Sequence, residues 1–261
     1  MERLIATVFV KRMTNGATGP INVLAEDTNG RTYDIVLKFE NAQLPITGLV
    51  RETFAARLGS VLGLPLPQAF FVEIDPLFIA SIAPHDPGLA ELLSTANCVG
   101  FGSLLMQPGF STWPAGFQVP GPLMALAAEV LAFDVLLRND DRAPKNPNML
   151  WNGTVFALID HEKALVPPIL SFDPAIWAAG AASNPVNSHL FGAALKSTVP
   201  NLGRFAGAWA AVSDNFLNDI CQDMPVEWAQ TEHILAPVRA LIEGVRDHMA
   251  DCILELHRAL T

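Results

Sequence analysis

Between residues 139 and 162 the chain gathers side chains suited to holding charge around one point. Asn139-Asp140-Asp141-Arg142-Ala143-Pro144-Lys145-Asn146-Pro147-Asn148 is its densest polar run, in a chain with only 16% charged residues. Leu158-Ile159-Asp160-His161-Glu162 follows shortly after. Carboxylates and amides in a loop, then a strand ending on Asp160, can bring several oxygens to one site. Hard cations such as Mg²⁺ take one or two carboxylates plus substrate phosphates. On that chemistry Asp160 with Asn146 or Asn148 suits a metal, and Asp141, or its neighbour Asp140, suits a base that meets a hydroxyl. The reaction indicated is phosphoryl transfer. Asn, Asp and Pro are also common turn formers, so the run gains weight only from features elsewhere.

Three such features precede it. Lys38 is a lone cation at the end of an apolar strand-like run, where a rigid support could aim it at a phosphate. Glu52 stands at the start of a helical pattern, a position the helix macrodipole favours for an acid, and could pair with Lys38. Gly16-Ala17-Thr18-Gly19-Pro20 lies between the first two strand-like runs, where small residues let backbone N–H groups approach phosphates.

The elements that must position these residues fall into two halves. Residues 4–10, 21–25 and 33–39 are β-rich and separated by Thr14-Asn15-Gly16 and Thr28-Asn29-Gly30 turns. Residues 49–62 switch to helical spacing and stop at Gly63 and Pro65. Residues 69–74 and 98–106 predict two further strands, divided by a Pro- and Asp-rich stretch, which makes a five-stranded sheet with one helix. A Pro/Gly-rich connection over 108–122 sets the predicted boundary, with lobes over 1–107 and 108–261. Beyond it the spacing predicts helices over 122–138, 202–221 and 231–260, and a strand pair near 149–151 and 155–159. The fold class expected is α+β, with an N-terminal antiparallel sheet lobe that opens as a meander and holds one helix, and a mainly helical C-terminal lobe.

At 261 residues and 51% hydrophobic composition the chain is long and apolar enough to fold around a sizeable core. A formal charge of −10 argues against a phosphate-backbone surface, so nucleic acid is not the expected partner. The apolar window 122–137 contains Glu129 and Asp134 and is shorter than a membrane span, so a core helix is expected. Cys98, Cys221 and Cys252 show no CxxC spacing and read as buried thiols, and Glu2 and Arg3 do not suit a secretory signal, so a cytoplasmic location is expected. No HExxH or GxSxG motif is present, and the six histidines are dispersed.

Taken in order, these features resemble the HipA-like kinases and, more distantly, the phosphoinositide kinases. Asp141-Arg142-Ala143-Pro144-Lys145-Asn146 is similar to the D-x-x-x-x-N catalytic loop, and Leu158-Ile159-Asp160-His161 to the I-D-H metal motif. Val36-Leu37-Lys38-Phe39 with Arg51-Glu52 and Gly63-Leu64-Pro65-Leu66-Pro67 complete the match over 14–165. The resemblance implies a two-lobed protein-kinase-like fold with ATP between the lobes. It makes Asp141 the group that accepts or orients the substrate hydroxyl, and Asn146 and Asp160 the Mg²⁺ ligands. Lys38 would hold the phosphates with Glu52 orienting it, the loop with Gly16 and Thr18 would cover them and could itself take a phosphate on Thr14 or Thr18, and Leu104-Leu105-Met106-Gln107 would offer Met106 and Gln107 to adenine. The acceptor implied is a Ser or Thr hydroxyl of a protein, with a small-molecule or lipid hydroxyl as the alternative and a protein regulator as a further partner. Two departures stand out. Ala143 occupies a position where the family often has His, and Glu162 one where the phosphoinositide kinases have Gly. Two readings from other classes are a nucleotide-binding module without turnover and a helical interaction protein.

Overall fold

The computed structural model describes residues 1–13, 18–106, 108–166, 174–228 and 231–261. Strands β1 (Arg3–Arg12), β2 (Ile21–Glu26) and β3 (Thr32–Lys38) form the predicted antiparallel meander, with Ile21 opposite Leu37 and Glu26 opposite Thr32. After helix α1 (Ile46–Val61), β4 (Ala69–Glu73) and β5 (Val99–Leu104) complete a closed barrel in the order β1-β2-β3-β5-β4. The expected sheet is therefore not purely antiparallel, because a parallel β1–β4 pair closes it. Closure removes the unpaired edges that an open five-stranded sheet would expose.

Among the described residues the first half holds three helices rather than one. Helices α2 (Pro76–Ile82) and α3 (Pro87–Thr95) occupy the Pro- and Asp-rich stretch between β4 and β5. Each starts with Pro just inside an Asp cap: Asp75 accepts from the Phe78 N–H and Asp86 from the Leu89 N–H. Proline is well tolerated there because its missing N–H would have no helical partner. Phe78, Ile82, Leu89 and Leu93 pack with the barrel interior of Leu4, Ile21, Val23, Ile35, Phe70 and Val72.

Barrel closure brings β5 so near its neighbours that Gly100 has no room for a side chain. A Cβ there would lie 2.5 Å from the Lys38 carbonyl oxygen and 2.7 Å from Leu37 Cδ1. A backbone oxygen cannot turn aside as a side-chain tip can. Gly100→Ala is therefore expected to destabilise the protein by about 1–3 kcal/mol through overpacking and to displace the strand that carries Lys38. An unchanged melting temperature would contradict this.

The second half contains the short strand β6 (Ser111–Thr112), a 3₁₀ turn (Gly121–Leu123), helix α4 (Met124–Leu136), and strands β7 (Met149–Trp151) and β8 (Phe156–Leu158), which form a β6-β7-β8 sheet. Among the described residues six helices follow: α5 (Ser183–Ser188), α6 (Gly192–Leu195), α7 (Gly203–Ala210), α8 (Asp214–Gln222), α9 (Glu232–Asp247) and α10 (Met249–Leu260). The two long helices expected over 202–221 and 231–260 are each broken. Ser213 caps a new helix by accepting from the Phe216 N–H, and the backbone leaves the helical path at His248. The apolar period runs across both breaks, which hides them from a reading by spacing.

Helix α1 shares one apolar core with this half: Phe54 and Leu58 belong to the same buried cluster as Phe133, Trp209, Ile242 and Leu256. This shared core joins the barrel to the helices. No described helix is long and apolar enough to cross a membrane. Of the three thiols only Cys252 is buried; Cys221 is half-buried and Cys98 exposed, contrary to the expectation of three buried thiols.

Candidate active site

A cavity of about 650 Å³ opens between the barrel and the helical half, within the range of small-ligand sites. Thr18, Lys38 and Met106 line it from the barrel side, and Asp141, Asn146 and Asp160 from the other. Of the remaining residues expected at the site, Glu52 also lines this cavity, while Gly16, Thr14 and Gln107 lie outside the described residues.

Lys38, the last residue of β3, meets carboxylates from two directions. Its Nζ pairs with Glu52 Oε1 on α1, with Asp160 Oδ1 at 2.5 Å and with Glu162 Oε2 at 2.8 Å, both just beyond β8. Burial alone would lower the Lys38 pKa, but the charges of Glu52, Asp160 and Glu162 outweigh it and hold the ammonium well above its ordinary value. Burial pushes Glu52 up and Glu162 up to about 7, while Lys38 outweighs burial at Asp160 and holds it below the usual carboxylate range. One ammonium cannot balance three carboxylates. One oxygen from each of Glu52, Asp160 and Glu162 lies within 4.8 Å of the others, so the donors are hard oxygens carrying surplus negative charge, a set that fits a divalent cation such as Mg²⁺. Sequence reading noted Glu162 only as a departure; the structure places it in the cluster.

Asp141 follows α4 in the loop expected to be catalytic. Its Oδ2 accepts from Asn146 Nδ2 at 3.0 Å and from Asn148 Nδ2 at 2.9 Å, and its Oδ1 from Lys163 Nζ at 3.0 Å. Both amides thus turn their N–H groups to Asp141, which leaves their oxygens as the acceptors that could face a cation. Asp140, the competing acid, is exposed. Asn148 and Asp160 both adopt left-handed backbone, with φ of 44° and 66°, a conformation sparsely populated outside Gly and enriched where a site constrains the chain.

A buried polar chain locks these parts together. Asp134, inside the apolar helix α4, accepts from Arg142 Nε at 2.6 Å, Asn139 Nδ2 at 2.6 Å and His189 Nε2 at 3.0 Å. Burial opposes its ionisation, but Arg142 and His189 overcome this and hold the carboxyl well below its usual range. The Arg142 guanidinium also donates to the carbonyls of Asn148 and of Ile159, the latter at 3.4 Å, and to His161 Nε2 at 2.9 Å. It therefore clips the loop of Asp141 to the strand end of Asp160. Because Nε2 must accept from Arg142, the His161 ring is neutral with its proton on Nδ1, 3.9 Å from Glu52 Oε2.

Burial, then the Arg142 charge, depresses the His161 pKa to about 3. An unfolded His titrates near 6.5, so between these values the unfolded state binds the extra proton. The stability His161 contributes is complete above about pH 6.5 and is lost as pH falls toward 3. Glu162, raised when folded, works in the opposite sense, so the effect is read as a difference. Relative to His161→Gln, the wild type is expected to lose about 1.4 kcal/mol of unfolding free energy between pH 8 and pH 5.5. Parallel pH profiles in denaturant melts would contradict this.

Comparison with known proteins adds an independent line. A family model described as HipA-like kinase matches residues 6–255. No curated protein matches the chain. Among solved structures, the Helicobacter pylori proinflammatory kinase CtkA is similar with a TM-score of 0.52 and 13% identity, over 97% of this chain and 95% of that one, a likeness of fold. The Golgi casein kinase is similar with a TM-score of 0.49 and 10% identity, over 98% of this chain and 73% of its own. With the family model spanning both the barrel and the helical half, this chain belongs to the HipA-like kinases, a phosphotransferase family.

Proposed function

We propose that the protein transfers the γ-phosphoryl group of ATP, with Mg²⁺, to a Ser or Thr hydroxyl of a protein. The observation that carries this reading is that Lys38 and Glu52, from the barrel side of the cavity, meet Asp160 from the opposite wall, which also presents Asp141. In this reading Lys38 binds the phosphates and Glu52 orients it. Asp160, with Glu162 beside it and the amide oxygen of Asn146 or Asn148, would hold a divalent cation, which supplies neutralisation of the phosphate charge. Asp141, fixed by two amides and an ammonium, receives the hydroxyl proton. The Leu104 and Leu105 N–H groups are committed to the Gln68 and Asp34 carbonyls, so adenine would be read from Met106 onward. Thr18 would lie over the phosphates. Catalysis then consists of positioning and fixed charge, with no covalent role for the protein.

Calorimetric titration of ATP with and without Mg²⁺ tests the reading. Micromolar binding that requires Mg²⁺ supports it; no binding at any Mg²⁺ concentration refutes it.

A further inference from the structure

Lys163 was not among the residues expected from the sequence, yet it stands at the one open side of Asp141. Asn146 and Asn148 both cover Oδ2, whereas Oδ1 meets only Lys163 Nζ, at 3.0 Å, among the described residues. A hydroxyl that passes its proton to Asp141 must therefore approach on the Oδ1 side, beside the ammonium. The Lys163 side chain is 62% exposed and that of Asp141 21%, and both line the cavity, so the ammonium retains N–H donors for an incoming group. Two residues after Asp141, Ala143 brings no charge to this place.

We propose that Lys163 is a catalytic residue whose ammonium bridges Asp141 and an equatorial oxygen of the phosphoryl group in flight. The inference rests on the reading of Asp141 and the cavity given above. In the step, the acceptor oxygen bonds to the γ-phosphorus, and the bond from that phosphorus to the β,γ-bridging oxygen breaks, its electron pair leaving on ADP. The hydroxyl proton passes to Asp141 Oδ1. Charge is spread over the three equatorial oxygens in this loose transition state, and a donor already fixed beside them needs no reorganisation. An exposed ion pair contributes little to folding, so removing Lys163 separates the catalytic role from a structural one.

The test uses the full chain with Lys163→Met and Lys163→Arg. ADP formation from Mg²⁺-ATP gives turnover, calorimetry gives affinity for ADP alone and for ADP with aluminium fluoride, which mimics the transferring group, and thermal melts report folding. Lys163→Met is expected to lower turnover about 100-fold, to keep ADP affinity and melting temperature near wild type, and to lose the added affinity that aluminium fluoride confers. Lys163→Arg is expected to recover part of both losses. Wild-type turnover in Lys163→Met, or ADP affinity that falls as far as turnover, would overturn the inference alone. A wild type with no turnover would overturn it together with the reading of the site.

Discussion

Asp160→Asn is expected to lower phosphoryl transfer by at least about 1,000-fold, a loss of about 4 kcal/mol of transition-state stabilisation, while changing the stability of the fold far less. Two structural facts make the effects diverge. Asp160 has φ of 66°, a conformation that Asn tolerates as well as Asp, so the substitution adds no backbone strain. It also leaves Glu52 and Glu162 paired with the Lys38 ammonium, so the lost attraction between Asp160 and Lys38 is partly offset by the repulsion among the three carboxylates that goes with it. What disappears is the charge that would face a cation and the phosphates. Turnover, the Mg²⁺-dependence of ATP affinity, and the melting temperature should all be measured on the same sample. Turnover close to wild type would remove Asp160 from the chemistry.

Asp134→Ala is expected to have the largest effect on folding, about 3–5 kcal/mol, a large share of the 5–15 kcal/mol typical of a domain. The side chain is fully buried, as is that of Arg142, and it accepts hydrogen bonds from Arg142, Asn139 and His189. Its removal leaves a buried guanidinium without its counter-charge and two other donors without an acceptor. If uncompensated charge is the cause, Asp134→Leu combined with Arg142→Met should recover much of the loss, because breaking such a pair costs more than replacing both members. Chemical denaturation of the single and double variants decides this. A double variant no more stable than Asp134→Ala would show that packing, not charge, sets the cost.

The strands of the barrel were legible because alternation and Gly-containing turns mark them locally: residues 4–10 were expected where β1 spans Arg3–Arg12, and 69–74 where β4 spans Ala69–Glu73. Helices α2 and α3 were missed because the Pro- and Asp-rich stretch between the strands reads as a connection, although Asp75-Pro76 and Asp86-Pro87 are also the signature of a capped first turn. Lys38, Glu52, Asp141, Asn146 and Asp160 could be singled out by residue type and by resemblance. The places of Glu162 and Lys163 could not, since each depends on a contact made across the fold: Glu162 with a lysine 124 positions earlier and Lys163 with an aspartate 22 positions earlier. Asp134 did leave a signal, as a carboxylate in the most apolar window of the chain. Such a group is rarely buried without a partner, but the sequence could not say that Arg142 and His189 provide it.

Mass spectrometry of the wild-type chain after incubation with Mg²⁺-ATP tests most directly whether this cleft moves the γ-phosphoryl group of ATP. ADP in solution and a mass gain of one phosphoryl group on the protein or on an added hydroxyl acceptor are expected, both absent from Asp160→Asn. A gain of one AMP would show nucleotidyl transfer instead, and ATP left intact with the protein's mass unchanged would rule out phosphoryl transfer at this site.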